Sequence, residues 1–444
     1  MTPLPRLAAL TLATAAVGLG LAAVPAAGSA AGAPSSTPAP VPTLELVSRA
    51  TDGTQREAHA DLAGSAAAAS ADGRYVVFAT SGALVRADRN EQSDVYLRDT
   101  QADRTVLVSR TPQGRAGDGG SVEPSISADG TVVAWTTSAT DLLTGRRDRN
   151  GEVNDVVVRD LRTGRTVLAS VDGRGRQHRA ESVASAISGD GRHVAVQTFA
   201  ALTRADTDER EDVYVRDLAR RTTRKASWRP HGRDITQPHL VGTISHDGRV
   251  VTMGDDRHAW ARDVVRGRTT LVWSEGIDPD SPFPMGSVGR PAVSGNGRYV
   301  AWPSAQVTGH GPTAGRQNVW RRDLRTGEVV RVTRGLGGTA PDGDSGLPSL
   351  SFDGTRVGVS TFAGNLVAGD PEAGDGEAVV VDLVTGTTVL ASPGPEDPEG
   401  IYDESARTGI AISADGHTLV YESFDDHLVA GDTNGWGDVL AWRG

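Results

Sequence analysis

Residues 123–170, EPSISADGTVVAWTTSATDLLTGRRDRNGEVNDVVVRDLRTGRTVLAS, form one complete unit of this chain. Four short runs in the unit are rich in β-branched and apolar residues, and turns containing Gly or Asp separate them. Short runs of this composition between such turns are typical of antiparallel strands. The stretch therefore predicts four consecutive strands.

The Ser-x-Asp/Asn-Gly turn inside this unit occurs seven times in the 444-residue chain. The turns begin at Ser70, Ser127, Ser188, Ser245, Ser294, Ser351 and Ser413. Successive turns lie 49 to 62 residues apart, and a recurring period of this kind is the signature of a repeat architecture. Gly suits the turn because a tight hairpin needs a positive φ, and Asp can bond its own backbone. We assign these turns to structure.

The third run of the unit also recurs. Its copies are DVYLRD (94–99), DVVVRD (155–160), DVYVRD (212–217), HAWARD (258–263), NVWRRD (318–323), EAVVVD (377–382) and DVLAWR (438–443). No fourth run follows the last copy, but residues 44–49 (LELVSR) match the fourth run at 106–110 (VLVSR). An N-terminal strand that completes the last sheet would close the ring and protect its edges. We therefore predict an all-β fold, a seven-bladed β-propeller of four-stranded antiparallel blades closed by an N-terminal strand.

The run SADGRYVVF (70–78) followed by DVYLRD (94–99) resembles the TolB-type, WD-repeat-like propellers that are common among secreted bacterial proteins. The resemblance covers about residues 43–444. That family includes periplasmic accessory proteins, propeller domains attached to peptidases and many uncharacterised exported proteins. The resemblance implies the fold and an exported protein, and it does not specify an activity.

The N-terminal segment is typical of a secretory signal peptide. Arg6 precedes a nearly uninterrupted apolar run, residues 7–24, and small residues continue to Ala33. We predict a signal peptide at 1–33, a Pro/Ser/Ala-rich linker at 34–42 and the propeller at 43–444. An uncleaved membrane anchor is the alternative. We expect a protein that is secreted or on the cell-envelope exterior, in the periplasm if the source has one.

The charge balance argues against a nucleic-acid partner. The chain has 45 Lys and Arg against 56 Asp and Glu, a formal net charge of −11, and the basic residues are scattered. Phosphate binding needs clustered Lys and Arg. The chain has no Cys and so no disulfide. We expect a monomer that binds a protein or a surface polysaccharide.

The loops between the second and third runs carry the candidate metal ligands. In four blades they place Asp or Asn near positions one, three and seven of the loop. The residues are Asp88, Asn90 and Asp94; Asp148, Asn150 and Asp155; Asp206, Asp208 and Asp212; and Asp432, Asn434 and Asp438. Side-chain oxygens at this spacing suit Ca²⁺, which takes about 6–8 oxygen ligands. The pattern resembles calcium loops of the DxDxDG and DxNxxxD kinds, and we predict Ca²⁺ as the cofactor.

Turn chemistry is the alternative interpretation of these loops, because Asp, Asn and Gly favour turns without any ion. None of the loops has the terminal bidentate Glu of an EF-hand. Blade six carries a weaker version with Asp370, Glu372 and either Asp375 or Glu377, blade four has lost the loop, and blade five has no acid in it.

Aromatic residues provide the candidate ligand-binding patch. Five Trp residues lie within predicted strands and should fill the core; they are Trp135, Trp260, Trp302, Trp320 and Trp442. Trp436 and Tyr402 lie instead in loops of blade seven, with Asp403 and Glu404 beside them. We predict that these four residues contact a ligand.

We assign no catalytic residue. The Gly343–Gly346 run, GDSG, resembles the nucleophile motif of trypsin-like proteases, but repeat alignment places it in the loop before a first strand. An exported binding or scaffolding module is the main hypothesis, with calcium stabilising the loops. The alternative is a lyase or hydrolase that uses paired acidic residues at the channel mouth.

Overall fold

The computed structural model of the protein describes residues 42–62, 68–208, 210–232, 235, 240–255, 258–274, 290–305, 316–369, 376–393 and 409–444. The predicted signal peptide at 1–33, and the linker up to residue 41, lie outside these ranges. The regular secondary structure of the described part is strand, apart from two short 3-10 helices at Pro230–Gly232 and Leu336–Gly338. Within these ranges no helix combines the length and the apolar character that crossing a membrane requires.

In the described ranges, twenty-eight strands form seven four-stranded antiparallel sheets, each of them one blade. Blade one contains β2 (Ala60–Asp61), β3 (Tyr75–Thr80), β4 (Asp94–Asp99) and β5 (Arg104–Leu107). Blade two contains β6 (Ser121–Ile126), β7 (Val132–Thr137), β8 (Asp155–Asp160) and β9 (Arg165–Leu168). Blade three contains β10 (Ser182–Ile187), β11 (His193–Thr198), β12 (Asp212–Asp217) and β13 (Thr222–Lys225). Blade four contains β14 (Leu240–Ile244), β15 (Val250–Asp255), β16 (His258–Asp263) and β17 (Arg268–Ser274).

The remaining strands form three further sheets. Blade five contains β18 (Ala292–Val293), β19 (Tyr299–Ser304), β20 (Asn318–Asp323) and β21 (Val329–Arg331). Blade six contains β22 (Ser345–Leu350), β23 (Arg356–Thr361), β24 (Glu377–Asp382) and β25 (Thr387–Leu390). Blade seven contains β26 (Ile410–Ile412), β27 (Thr418–Ser423), β28 (Asp438–Arg443) and the N-terminal β1 (Thr43–Leu46). The predicted seven-bladed propeller is confirmed.

Strand β1 closes the propeller as predicted. It pairs antiparallel with β28, so that Leu44 lies opposite Trp442 and Leu46 opposite Leu440. Leu46 is buried in an apolar cluster that contains residues of blades six and seven. The side chain of Arg443 then reaches blade one, where it donates to the carbonyl of Gly73 at 3.1 Å. Strands β1 and β28 and the Arg443 side chain therefore join the first blade to the last.

The Ser-x-Asp/Asn-Gly turns form a second closed connection. In every turn the Ser hydroxyl donates to the Asp or Asn side chain two residues later, and the Gly has φ between 66° and 77°. Each turn also donates one backbone N–H to a carbonyl in the next blade's turn. The seven bonds run from Ala71 to Ala128, Ala128 to Gly189, Asp190 to His246, His246 to Gly295, Asn296 to Phe352, Phe352 to Ala414, and Asp415 back to Ala71.

Apolar side chains fill the space between blades. Trp135 packs with Val77 and Val95 of the preceding blade, and Trp302 packs with Val250 and other residues of blade four. The five Trp residues that were predicted to fill the core are all buried, which confirms that prediction; they are Trp135, Trp260, Trp302, Trp320 and Trp442. Because every blade face is covered by a neighbour, burial of apolar area holds the ring together.

The GDSG run was predicted to lie in the loop before a first strand, but its second half, Ser345 and Gly346, belongs to β22. Ser345 begins β22, is buried, and its hydroxyl lies 2.8 Å from the hydroxyl of Thr361. Ser121 makes the same contact with Thr137 in blade two, at 3.0 Å. A contact that repeats between blades needs no catalytic explanation.

The closing strand yields a stability prediction. Leu46→Ala should lower the free energy of unfolding by about 2–5 kcal/mol, because it leaves a cavity between blades six and seven. Leu336→Ala is the control, since Leu336 is 50% exposed and its loss should change stability by less than about 0.5 kcal/mol. Urea unfolding followed by tryptophan fluorescence measures both. Equal effects of the two substitutions would contradict the role of β1.

Candidate functional site

The four acidic loops lie at one rim of the propeller, against the loops that join consecutive blades. Three of them show this through the same hydrogen bond. The Asn side chain at the third position donates to a backbone carbonyl of the adjoining interblade loop, at 2.9–3.0 Å. The pairs are Asn90 with Gly117, Asn150 with His178, and Asn434 with Arg56. The predicted loop residues therefore face the junctions between blades.

The first Asp of each loop organises the loop itself. In blade two, Asp148 accepts hydrogen bonds from the backbone N–H groups of Asn150 and Gly151, both at 2.9 Å. In blades one and three a buried Tyr hydroxyl donates to the first Asp. The pairs are Tyr96 with Asp88 and Tyr214 with Asp206. These contacts are the turn chemistry that the sequence offered as an alternative.

The last Asp of each loop begins the third strand of its blade and is almost completely buried. Its Oδ1 accepts a hydrogen bond from the hydroxyl of a Ser that follows a fourth strand. The pairs are Asp94 with Ser109, Asp155 with Ser170, Asp212 with Ser227, and Asp438 with Ser48. Burial raises the pKa of Asp94 to about 7 and the pKa values of Asp212 and Asp438 to about 6. Burial also raises the pKa of Asp155.

Nitrogen donors occupy three of the four loops. The amide nitrogen of Gln177 lies 2.5–2.7 Å from side-chain oxygens of Asp148, Asn150 and Asp155. In blade seven, Gln55 donates to Asp432 at 2.9 Å and to Asp438 at 3.1 Å. In blade three, the Lys225 ammonium lies 2.7 Å from Asp212 and 3.5 Å from Asp206.

Sequence reasoning missed these three donors because they lie outside the loop motif. A weak signal was present: both Gln55 and Gln177 follow the Ser of their fourth strand by seven residues. The residues that the motif itself contains do lie close together in the structure. The carboxylates of Asp206, Asp208 and Asp212 offer ligand atoms within 4.8 Å of one another, a spacing that could hold a metal ion.

A second group of potential metal ligands lies in the blade-seven loop that also contains Asp432 and Asn434. Asp425, Asp426 and His427 also offer ligand atoms within 4.8 Å of one another. They are more exposed than the Asp206 group: the side chain of His427 is 67% exposed. Exposed acidic groups are common without any ion, so this group does not indicate a site by itself.

The predicted ligand patch is described only in part. Tyr402, Asp403 and Glu404 lie outside the described residues. Trp436 is 49% exposed, and Phe424 of the same loop region is 48% exposed. The Phe424 ring stacks on the His59 ring with their centroids 5.1 Å apart. Both rings pack against Gly437, where an added Cβ would lie 2.4 Å from His59 and 2.7 Å from Phe424. The structure thus adds two aromatic rings beside Trp436.

The channel through the propeller is narrow and apolar at the end where the seven turns meet. The side chains of His246 and Phe352 meet there edge to face, with ring centroids 5.6 Å apart. They lie over Gly189 and Gly295, where added Cβ atoms would approach the rings to 2.2–2.5 Å. The described residues that line the channel at this end include no carboxylate.

One carboxyl on an innermost strand has a perturbed environment. Burial raises the pKa of Glu123 on β6, and Glu181 contributes in the same direction while Arg290 opposes it. The Glu123 backbone has a φ of 54°, but Leu347 occupies the equivalent position of blade six with a φ of 47°. The unusual backbone is therefore a feature of the repeat.

Comparison with known proteins supports the fold. No protein-family model matches the sequence, and no curated protein matches it. The chain is similar in structure to an oligogalacturonate lyase from Vibrio parahaemolyticus, with TM-score 0.51, 10% identity, and coverage of 90% of this chain and 97% of the other. It is also similar to the propeller domain of the Trilobed protease from Pyrococcus furiosus, with TM-score 0.51, 11% identity, and coverage of 87% and 96%.

These likenesses show a shared β-propeller fold and no shared activity. The Pyrococcus domain is described as having an open velcro topology, whereas here β1 completes blade seven. TolB from Acinetobacter baumannii is similar with TM-score 0.39 and 15% identity over 84% of this chain and 81% of its own. That score is too low to bear on family or function, so membership of the TolB-type family stays a prediction.

The contact between His59 and Glu422 yields a prediction about pH. The His59 Nε2 lies 3.0 Å from a Glu422 oxygen, and the hydrogen bond to Glu422 raises the pKa of His59 above its usual 6.5. Its stabilising contribution is thus full below about pH 6.5 and is lost as the pH rises through the folded-state pKa. His59→Gln should lower the melting temperature more at pH 5.5 than at pH 8.5. His427→Gln is the control for an exposed His, and a His59→Gln effect independent of pH would contradict the ion pair.

Proposed function

We propose that this protein is an exported binding or scaffolding module. Its acidic rim takes up calcium, and the aromatic patch around Trp436 on blade seven contacts a protein or a surface polysaccharide. Tyr402, Asp403 and Glu404 belong to the proposed patch through their positions in the sequence. The acidic rim and this patch meet in blade seven, since the loop that contains Asp432, Asn434 and Asp438 also carries Trp436.

The repetition of one bonding scheme around the rim is the observation that supports this proposal. Four loops present equivalent carboxylates at equivalent positions. An enzyme needs a single constellation of unlike groups with assigned roles, whereas a scaffold can repeat one device in several blades. Buried carboxylates with raised pKa values favour a bound cation, because a cation stabilises their charged form.

A lyase or hydrolase is the second candidate, and Glu123 is the observation that favours it. A buried carboxyl with a raised pKa can serve as a general acid near neutral pH. The purified protein would be incubated with neutral and anionic polysaccharides, and the release of new chain ends would be measured with Glu123→Gln as control. Release of chain ends that depends on Glu123 would support the enzyme hypothesis and contradict the proposal of a binding module.

Calcium should stabilise the folded protein. Ligand binding to the native state alone adds about 2.7 kcal/mol when the ligand concentration is one hundred times its Kd. We therefore expect the melting temperature to rise progressively with calcium after EDTA treatment. Magnesium is the matched control ion, since it demands a smaller, near-octahedral site. An unchanged melting temperature at millimolar calcium would contradict the calcium proposal and favour the interpretation of these loops as turns that bind no ion.

The patch proposal makes a separate prediction. Trp436→Ala should weaken binding of the purified protein to the cell-surface polysaccharide of its source by about tenfold or more, as expected for a buried interface Trp. Phe199→Ala is the matched control, because Phe199 follows β11 as Phe424 follows β27 and is 51% exposed. Sedimentation with the insoluble polysaccharide measures both. Equal losses in the two variants would contradict a specific patch.

A further inference from the structure

One carboxylate oxygen occurs in the same place in four blades. The last Asp of each acidic loop uses Oδ1 to accept the Ser hydroxyl described above, and this fixes the rotation of the carboxylate. The second oxygen, Oδ2, then faces the rest of the loop. In blades two, three and seven the nitrogen that touches Oδ2 also lies within 2.7–3.5 Å of the first Asp of that loop. Oδ2 therefore points into the loop's cluster of oxygens.

Three blades supply their own nitrogen to this oxygen. Gln177 contacts Oδ2 of Asp155 at 2.6 Å, and Gln55 contacts Oδ2 of Asp438 at 3.1 Å. Lys225 forms an ion pair with Oδ2 of Asp212 at 2.7 Å. The donor comes from one of two positions. It lies either seven residues after the fourth-strand Ser or two residues before it.

Blade one has no donor at either position. Seven residues after Ser109 the chain has Ala116, and two residues before Ser109 it has Leu107. The alignment is fixed by structure, because Ala116 bridges Arg110 as Gln177 bridges Val171. Asp94 is 0% exposed, and no described residue donates a hydrogen bond to its Oδ2. The Asn90 amide donates to the carbonyl of Gly117 at 2.9 Å and also lies against the Asp94 carboxyl, as Asn150 and Asn434 lie against Asp155 and Asp438, so it does not distinguish blade one from blades two and seven.

A buried carboxylate oxygen without a partner costs free energy, typically about 1–3 kcal/mol for a neutral polar group and more for a charged one. Blade one therefore carries a cost that the other three loops avoid. A cation that contacts Oδ2 would remove this cost.

We propose that the blade-one loop is the single high-affinity calcium site among these four described loops, and that Gln55, Gln177 and Lys225 are internal replacements for the ion in the other three. Asp94 and Asp88 provide the carboxylates and Asn90 provides a neutral oxygen, with water completing the coordination. This inference rests on the proposed uptake of calcium, and it adds which loop binds the ion and why the others do not.

The blade-three loop shows why the number of carboxylates in a loop does not indicate whether that loop binds calcium. Asp206, Asp208 and Asp212 form the most acidic of the four loops. The ammonium group of Lys225 is only 1% exposed and lies between two of them. A divalent ion in that loop would have to displace or approach a buried positive charge. The loop with the most acid is thus closed to calcium.

Calorimetric titration of the purified protein with calcium tests the proposal. We expect one equivalent to bind. Ala116→Gln, which gives blade one the donor of blades two and seven, should weaken calcium binding by about tenfold or more, since ligand charge and rigidity tune affinity over orders of magnitude. Gln177→Ala should remove the internal donor of blade two and raise the stoichiometry from one to two.

A second pair of variants covers the case in which Ala116→Gln disturbs the loop. Asp94→Asn should abolish the single binding event, whereas the matched Asp155→Asn in blade two should leave it unchanged. The melting temperature of each variant in EDTA shows whether it folds. Three or four equivalents on the wild type, or binding that Asp155→Asn removes and Asp94→Asn does not, would overturn this inference while leaving calcium uptake in place. The absence of any binding to the wild type would overturn both.

Discussion

Closure of the ring is the constraint on which the rest of this structure depends. A blade exposes two apolar faces, and only a complete circle covers all of them. Two devices achieve closure here: the pairing of β1 with β28, and the cycle of seven backbone hydrogen bonds between turns that ends where it begins, at Ala71. The pairing of β1 with β28 joins the first strand of the propeller to its last strand at the outer edge of blade seven. The second fixes the spacing of the blades around the channel.

As a consequence, the loops on the two faces of the propeller differ in how much their residues can vary from blade to blade. At the face of the turns, each blade must present the same Ser, Asp or Asn, and Gly, because each turn bonds to its neighbour. At the opposite rim the loops bond mainly to the interblade loop beside them, through contacts such as that of Asn150 with His178. One blade can therefore change its loop without disturbing the others. The unequal donors at Ala116, Gln177 and Lys225 are changes of this kind.

The fold could be predicted from the sequence because the sequence features that specify it recur in every blade. The turns, the DVYLRD-type strands and residues 44–49 together specify the number of blades and the closing strand. The acidic residues of each loop could be grouped for the same reason. The nitrogen donors could not, because they reach the loops through tertiary contacts: Gln55 and Asp432 are 377 residues apart in the chain. Nor could the Trp436 patch be completed, since the stacking of His59 on Phe424 joins blades one and seven only after closure.

In the proposal made here for calcium, local charge compensation, rather than the number of acids, decides where an ion binds at this rim. Anomalous diffraction from crystals grown in calcium would show the position of each bound ion. We expect one strong peak within about 2.3–2.6 Å of the Asp94 carboxylate, with no peak beside Gln55, Gln177 or Lys225. Peaks in the other three acidic loops, or a peak in blade three without one in blade one, would contradict it.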